Sequence, residues 1–228
     1  MSFDTKSNTV PIRICLIHAI QEAIAPAQQA FKRLWPQAQL VNVLDDSLSA
    51  DRAVADQLTP AMHERIGSLA RYGIDLGAAG ILYTCSAFGE AIEMVRANAS
   101  IPILKPNEAM FEEALASGAR IAMLATFRPT ILSMENEFAE MVALHGMDAT
   151  LDSTWVADAM IALRSGDMVK HNRLLAEAAA KLKGYDALML AQFSMAQAHA
   201  EVSAAVDCPV FTSPGSAVVK LKRAIVKQ

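Results

Sequence analysis

No stretch of this sequence approaches the roughly 18 consecutive apolar residues that a membrane-spanning helix needs. The opening "MSFDTKSNTVP" is short and polar and lacks the apolar core of a secretory leader. No membrane association is expected, and the cytoplasm is the expected location. Basic residues are scattered without a Lys/Arg block and the formal net charge is -4, so nothing suits a phosphate backbone and no nucleic-acid partner is expected. Cysteine is scarce. Cys15, Cys85 and Cys208 stand far apart, which fits neither a disulfide framework nor a zinc site, and they read as free thiols. His63, His145, His171 and His199 show no ligand spacing, so no metal is expected. No G-x-G-x-x-G follows the first strand-like run, where "IHAIQEA" stands instead, which removes a dinucleotide-binding reading.

What is present is apolar material. The chain has 228 residues, 53% of them hydrophobic and 19% charged, enough to bury a sizeable core as one compact unit or two small lobes. Short apolar runs at Ile12–Ile17, Leu40–Leu44, Gly80–Tyr83 and Ile101–Leu104 alternate with helix-like stretches at Gln21–Leu34, Asp51–Tyr72, Phe88–Ala97 and Glu108–Ala116. The second half repeats the order with strands at Arg120–Leu124, Met147–Leu151, Ala187–Ala191 and Pro209–Phe211. Helices at Thr130–His145, Asp167–Lys183 and Ser194–Val206 lie between them. This alternation predicts parallel sheets covered by helices. A last helix is predicted after Ser213, a good N-cap followed by Pro214 at the first helical position.

The repetition extends to the residues. "RICLIHA" begins at Arg13 and "RIAMLAT" at Arg120, an offset of 120 − 13 = 107. The same offset lays "VLDD" (Val43 to Asp46) on "TLDS" (Thr150 to Ser153), matching Asp45 with Asp152. It also lays "LYTCSAF" on "MLAQFSM" and "IPIL" on "CPVF". The expected fold is therefore α/β, with two pseudo-symmetric half-domains, each a short parallel sheet flanked by helices, and a cleft between them. One lobe would take residues 1–106 with 214–228 as its closing helix, and the other 107–213.

In open parallel sheets ligands bind beyond the carboxyl ends of the strands, so the strand-end residues carry the functional reading. In the first half these are Ile17-His18, Asp45-Asp46, Thr84-Cys85-Ser86 and Lys105-Pro106-Asn107. In the second they are Ala125-Thr126, Asp152-Ser153, Gln192-Phe193-Ser194 and Thr212-Ser213. Cys85 stands where a strand gives way to a helix, and free backbone N–H groups with the helix dipole are expected to lower its pKa into a reactive range. The same N–H groups, with the Thr84 and Ser86 hydroxyls, can hold a carboxylate. His18 reads either as a polar contact in the cleft or as a helix cap. Asp45 and Asp46 read as a helix-capping loop rather than a pair for acid/base work. Cys15, within a strand, and Cys208, just before one, are expected to pack.

"ILYTCSAFGE", with "ATFRPTILSMENEF" (Ala125 to Phe138) and "LMLAQFSMA" (Leu188 to Ala196), resembles the aspartate/glutamate racemase superfamily over essentially the whole chain. That superfamily includes amino-acid and hydantoin racemases, arylmalonate decarboxylase and maleate isomerase. The resemblance implies the same two-lobed fold, a small carboxylate substrate and no metal or pyridoxal cofactor, and it is compatible with a homo-oligomer. It implies a cysteine from each half on opposite faces of the substrate, one removing the α-proton and the other returning one. Cys85 matches the first cysteine. The second place, 85 + 107 = 192, is held by Gln192, which can hydrogen-bond a carboxylate or an enediolate but cannot exchange a proton at neutral pH. The family's decarboxylase also uses one cysteine, at the second position.

With one thiol, several chemistries stay open: protonation of an enediolate on one face, covalent addition to an unsaturated diacid, or racemization with water or Ser194 replacing the missing thiol. Thr126 and Thr130, flanking Arg128-Pro129, resemble a family threonine motif that helps bind carboxylate. They read equally as a plain first helical turn. Arg128 is a further candidate to pair with a carboxylate. The expected activity is that of a cofactor-independent isomerase or racemase type at the α-carbon of a small carboxylic or amino acid. The alternatives are a one-sided decarboxylase or cis-trans isomerase, or a carboxylate-binding protein without catalysis.

Overall fold

The computed structural model describes residues 11–55 and 57–226; the N-terminal stretch read above lies largely outside them. Two four-stranded parallel sheets form the frame. The first comprises β1 (Arg13–His18), β2 (Gln39–Leu44), β3 (Gly80–Tyr83) and β4 (Ile103–Leu104), in the order β2-β1-β3-β4. The second comprises β5 (Arg120–Ala125), β6 (Thr150–Trp155), β7 (Ala187–Leu190) and β8 (Val210–Thr212), in the equivalent order β6-β5-β7-β8. The helices of the first half are α1 (Ile24–Leu34), α2 (Ser47–Ala53), α3 (Pro60–Asp75), α4 (Gly89–Arg96) and α5 (Glu108–Ser117). Those of the second are α6 (Arg128–Leu144), α7 (Ala157–Arg164), α8 (Met168–Ala179), α9 (His199–Ser203) and α10 (Ser213–Val226).

Period-two alternation sends each central strand's side chains to two different cores. Ile14 and Leu16 of β1 pack with Phe31 of α1 and Val218 and Leu221 of α10, while Cys15 and Ile17 pack on the other face with Ile66, Ala70 and Ile92 of α3 and α4. In the second half Ile121 and Met123 meet α5 and α6 through Phe111 and Phe138. Ala122 and Leu124 meet Ala159, Leu175 and Val202 of α7, α8 and α9. Covered on both faces, the strands β3 and β7 are wholly buried, which is why they read as unbroken apolar runs.

The two halves exchange a helix. Helix α5 follows the first sheet but packs on the second, and α10 follows the second sheet but packs on the first. The two pack against each other. Gly80 opens β3 where α10 crosses it: a Cβ there would lie 2.8 Å from Ile225 and 3.0 Å from Leu221.

Strand register corrects one part of the repeat. In the first sheet Ile14 pairs with Gly80, and in the second Ile121 pairs with Ala187, so β1, β3 and β4 keep the offset of 107 with β5, β7 and β8. Arg13, however, pairs with Gln39 and Arg120 with Thr150, an offset of 150 − 39 = 111 for the second strand. Asp45 is thus not the counterpart of Asp152. Asp152 and Ser153 lie within β6 rather than at its end, and the strand predicted at Met147–Leu151 occupies Thr150–Trp155. As an edge strand, only partly covered, it lacks the apolar run that announces its neighbours.

The predicted helix at Asp51–Tyr72 is two helices. Thr59 caps α3, its Oγ1 accepting from the Met62 N–H at 3.3 Å, and Pro60 occupies the first turn; a residue before proline avoids the helical region, so the chain breaks there. Helix α7, Ala157–Arg164, has no counterpart in the expected order of elements. The stretch Ser194–Val206 begins as a 3-10 turn, Phe193–Ala198, before α9. No helix among the described residues is long and apolar enough to cross a membrane.

Candidate active site

The loops after the third strands carry the two residues that the repeat pairs. Cys85 precedes a 3-10 turn, Ser86–Phe88, and Gln192 precedes the turn Phe193–Ala198, each in extended conformation. Each turn leans on the other half. The turn after Cys85 lies against α6, and the turn after Gln192 lies against α1, with Phe193 buried in the first half's core beside Ile14 and Phe31. Cys85 and Gln192 therefore both stand at the seam between the halves.

In the first half His18 is wholly buried at the end of β1. One ring nitrogen, Nδ1, lies 3.0 Å from Thr84 Oγ1 and the other, Nε2, 3.1 Å from Asn42 Oδ1. Burial lowers the pKa of His18 and the Asn42 contact only partly opposes this, so the ring is a neutral prop behind Thr84 rather than a cation in the cleft. The second half lacks this prop, for Ala125, Ala191 and Ser153 occupy the matching positions.

The thiol of Cys85 departs from expectation. Burial raises its pKa, and this outweighs the Ala87 N–H, the Ser49 hydroxyl and the charge of Arg52, all of which favour the thiolate. The predicted lowering by backbone N–H groups is present but loses to desolvation. The resting sulfur is a neutral thiol with its thiolate-stabilising groups already in place. Ser49 and Arg52 come from α2, a helix that sequence reasoning ran into its neighbour. Arg52 reaches the thiol's turn directly, its Nε donating to the Ala87 carbonyl at 3.4 Å. Ser86 lies half-buried in that turn.

In the second half the Gln192 amide is locked. Its Oε1 accepts from the Thr126 backbone N–H at 2.9 Å and from Thr126 Oγ1 at 3.1 Å. A backbone N–H only donates, so the amide orientation is settled by chemistry. Nε2, buried, has no partner among the described residues. Trp155 Nε1 donates to the Thr126 carbonyl at 3.3 Å, and the Arg128 guanidinium lies over the indole, 5.4 Å from the ring centroid. Thr130 sits half-buried in the first turn of α6, its N–H donating to the Phe127 carbonyl at 3.1 Å, and Ser194 is half-buried beside Phe193.

Other candidates are structural. Asp45 Oδ1 accepts from the Ser47 N–H and hydroxyl at 3.3 and 2.7 Å, and Oδ2 pairs with Arg65 at 2.6 Å. Tyr185 donates to Asp152 at 2.9 Å. Cys15 is buried in the first core and its thiol is pushed up to about 11 by burial. The cavities beside β2 and α3 and beside β6 and α6 lie away from both turns.

A two-lobed α/β protein, with a thiol on one lobe and a clamped amide at the equivalent place on the other, is the class that fold and site define. The model of the Asp/Glu/hydantoin racemase family matches residues 20–221, and the chain belongs to that family. No curated protein matches the sequence. An aspartate racemase homologue from Pyrococcus horikoshii superposes with a TM-score of 0.72 at 14% identity, covering 94% of this chain and 99% of its own. Allantoin racemase from Klebsiella pneumoniae gives 0.68 at 17% identity, with 95% and 88% covered. A mutant of arylmalonate decarboxylase gives 0.65 at 17%, with 92% of each chain covered. These likenesses establish the fold.

Proposed function

We propose that this protein is a cofactor-independent enzyme of the isomerase or racemase type, acting at the α-carbon of a small carboxylic or amino acid with a single thiol. The observation that carries this is the clamped Gln192. At the position the repeat pairs with Cys85, where the family resemblance implies a second thiol, the chain has an amide whose oxygen is committed to Thr126 and whose N–H groups are left as donors. Such a donor stabilises an oxygen that gains negative charge and cannot carry a proton to carbon.

Cys85 is then the one thiol that carries a proton. The α-proton passes to the sulfur as an enediolate forms; return from the same S–H only exchanges it, and inversion requires water or the Ser194 hydroxyl to deliver a proton to the opposite face. The thiolate that takes up the α-proton is held by the Ala87 N–H, the Ser49 hydroxyl and the charge of Arg52. Thr84, Ser86, Thr126 and Thr130 surround the carboxylate. A second reading draws on the neutral resting thiol, which is ready to donate before it can accept. If the enediolate arises by loss of carbon dioxide, Cys85 delivers its proton directly and the enzyme is a one-sided decarboxylase; if the sulfur, as thiolate, instead adds to an unsaturated diacid, rotation about the resulting single bond and expulsion of the sulfur make it a cis-trans isomerase.

Proton NMR in heavy water with a panel of amino acids, hydantoins, arylmalonates and maleate tests both. Exchange with inversion supports racemization with another group standing in for the missing thiol; one-sided chemistry appears as α-proton exchange without inversion, or as decarboxylation or isomerization. Cys85→Ala should abolish turnover while substrate binding persists; full activity in that variant would sink the mechanism.

A further inference from the structure

At the carboxyl ends of the first two strands in each half, large apolar side chains stand in solvent. Ile20 is 42% exposed and Phe127 45%, just beyond β1 and β5; Leu44 is 39% exposed and Trp155 48%, at the ends of β2 and β6. Their positions match. Ile20 and Phe127 are 127 − 20 = 107 residues apart, and Leu44 and Trp155 pair with His18 and Ala125, also 125 − 18 = 107 apart. Half-exposed apolar surface forgoes favourable transfer from water. Its recurrence at the strand ends where such sheets bind ligands marks a surface built to be covered.

Trp155 is also held in place. Its indole N–H is fixed on the Thr126 carbonyl and its face is covered by Arg128, while Thr126 clamps Gln192. The exposed indole is thus one residue removed from the donor assigned to the enediolate.

Resting on that functional assignment, we propose that the acid carries a bulky hydrocarbon group, a ring or a branched chain, on its α-carbon. Trp155 and Phe127 receive it, and Ile20 and Leu44 are the first half's share of the same surface. Arg128 is engaged in holding the indole rather than in binding a second carboxylate.

The test is a binding measurement that needs no turnover. The full chain is titrated with 2-phenylpropionate, propionate and glutarate while tryptophan emission is followed; Trp35 is buried, so Trp155 is the reporter. Calorimetry on Trp155→Ala and Phe127→Ala supplies affinities independent of that signal. The expected result is 2-phenylpropionate binding about tenfold tighter than propionate with a change in emission, a preference that collapses to within about twofold in both variants. Phe127→Ala removes a half-exposed side chain and tests the idea even if the tryptophan variant misfolds. Equal affinities, tighter binding of glutarate, or no binding of any probe overturns the proposal. Preference without turnover on any ring-bearing acid would count against the catalytic assignment alone, and turnover without preference against this inference alone.

Discussion

At Cys85 burial and hydrogen bonding pull the thiol in opposite directions, and burial wins. Because the thiolate is the nucleophile, alkylation of Cys85 by iodoacetamide, followed by peptide mapping, should have its pH midpoint above that of the unfolded chain. Arg52→Gln removes a positive charge that favours the thiolate and should move the midpoint higher still. A midpoint below the ordinary thiol value in the native protein would show that the N–H groups dominate after all. The strand-end rule made Thr84, Cys85, Thr126 and Gln192 legible in the sequence, since each stands within two residues of the end of an apolar run. Asn42, Ser49 and Arg52 were not legible. They reach the site from β2 and α2, 24 residues from His18 in one case and 35 from Ala87 in another, and only the folding of the sheet brings those segments together.

Among the secondary-structure elements, β2, α2 and α3 meet at Asp45, which caps the start of α2 through Ser47 and pairs with Arg65 of α3. Burial pushes its carboxyl up, but Arg65 and Ser47 outweigh that and hold it below its ordinary value of 3.8. A depressed carboxylate stabilises the fold above its unfolded pKa, and that contribution disappears as pH falls through the folded value. Asp45→Asn should therefore cost roughly 1 kcal/mol at pH 7, with the difference from wild type vanishing in urea titrations run well below that value. An equal cost at both pH values would assign the effect to packing. Helices α5 and α10 were legible from their apolar stretches and, for α10, from Ser213-Pro214, although Ser213 begins the helix itself and its hydroxyl, expected to cap, donates to Asn107 Oδ1 at 2.9 Å. The split between α2 and α3 was signalled by Thr59-Pro60, but the continuing helical periodicity on both sides masked it. The register of β6 was beyond sequence reading because the connection before β6 is longer than that before β2, which a gap-free comparison cannot absorb.

Across the whole molecule, the halves are joined by exchanged helices, by Phe193 and by ion pairs at the seam. Lys105, after β4, pairs with Glu137 of α6 at 3.2 Å and with Glu93 at 2.9 Å. Phe193 belongs by sequence to the second half and by packing to the first. Phe193→Ala should lower stability by about 3–5 kcal/mol and, because Phe193 adjoins Gln192, reduce turnover as well. A loss below about 1 kcal/mol in urea denaturation would mean the first core closes without it.

The sequence by itself determined the alternation of strands and helices, the approximate doubling, and the asymmetry of one thiol against one amide, because these depend on local periodicity and residue identity. The tertiary structure decided the protonation of Cys85, the commitment of the Gln192 oxygen to Thr126, the prop that His18 gives Thr84 and the half-exposure of Trp155. Each of these depends on desolvation and on contacts between segments far apart in the chain, and neither exists until the sheets are assembled.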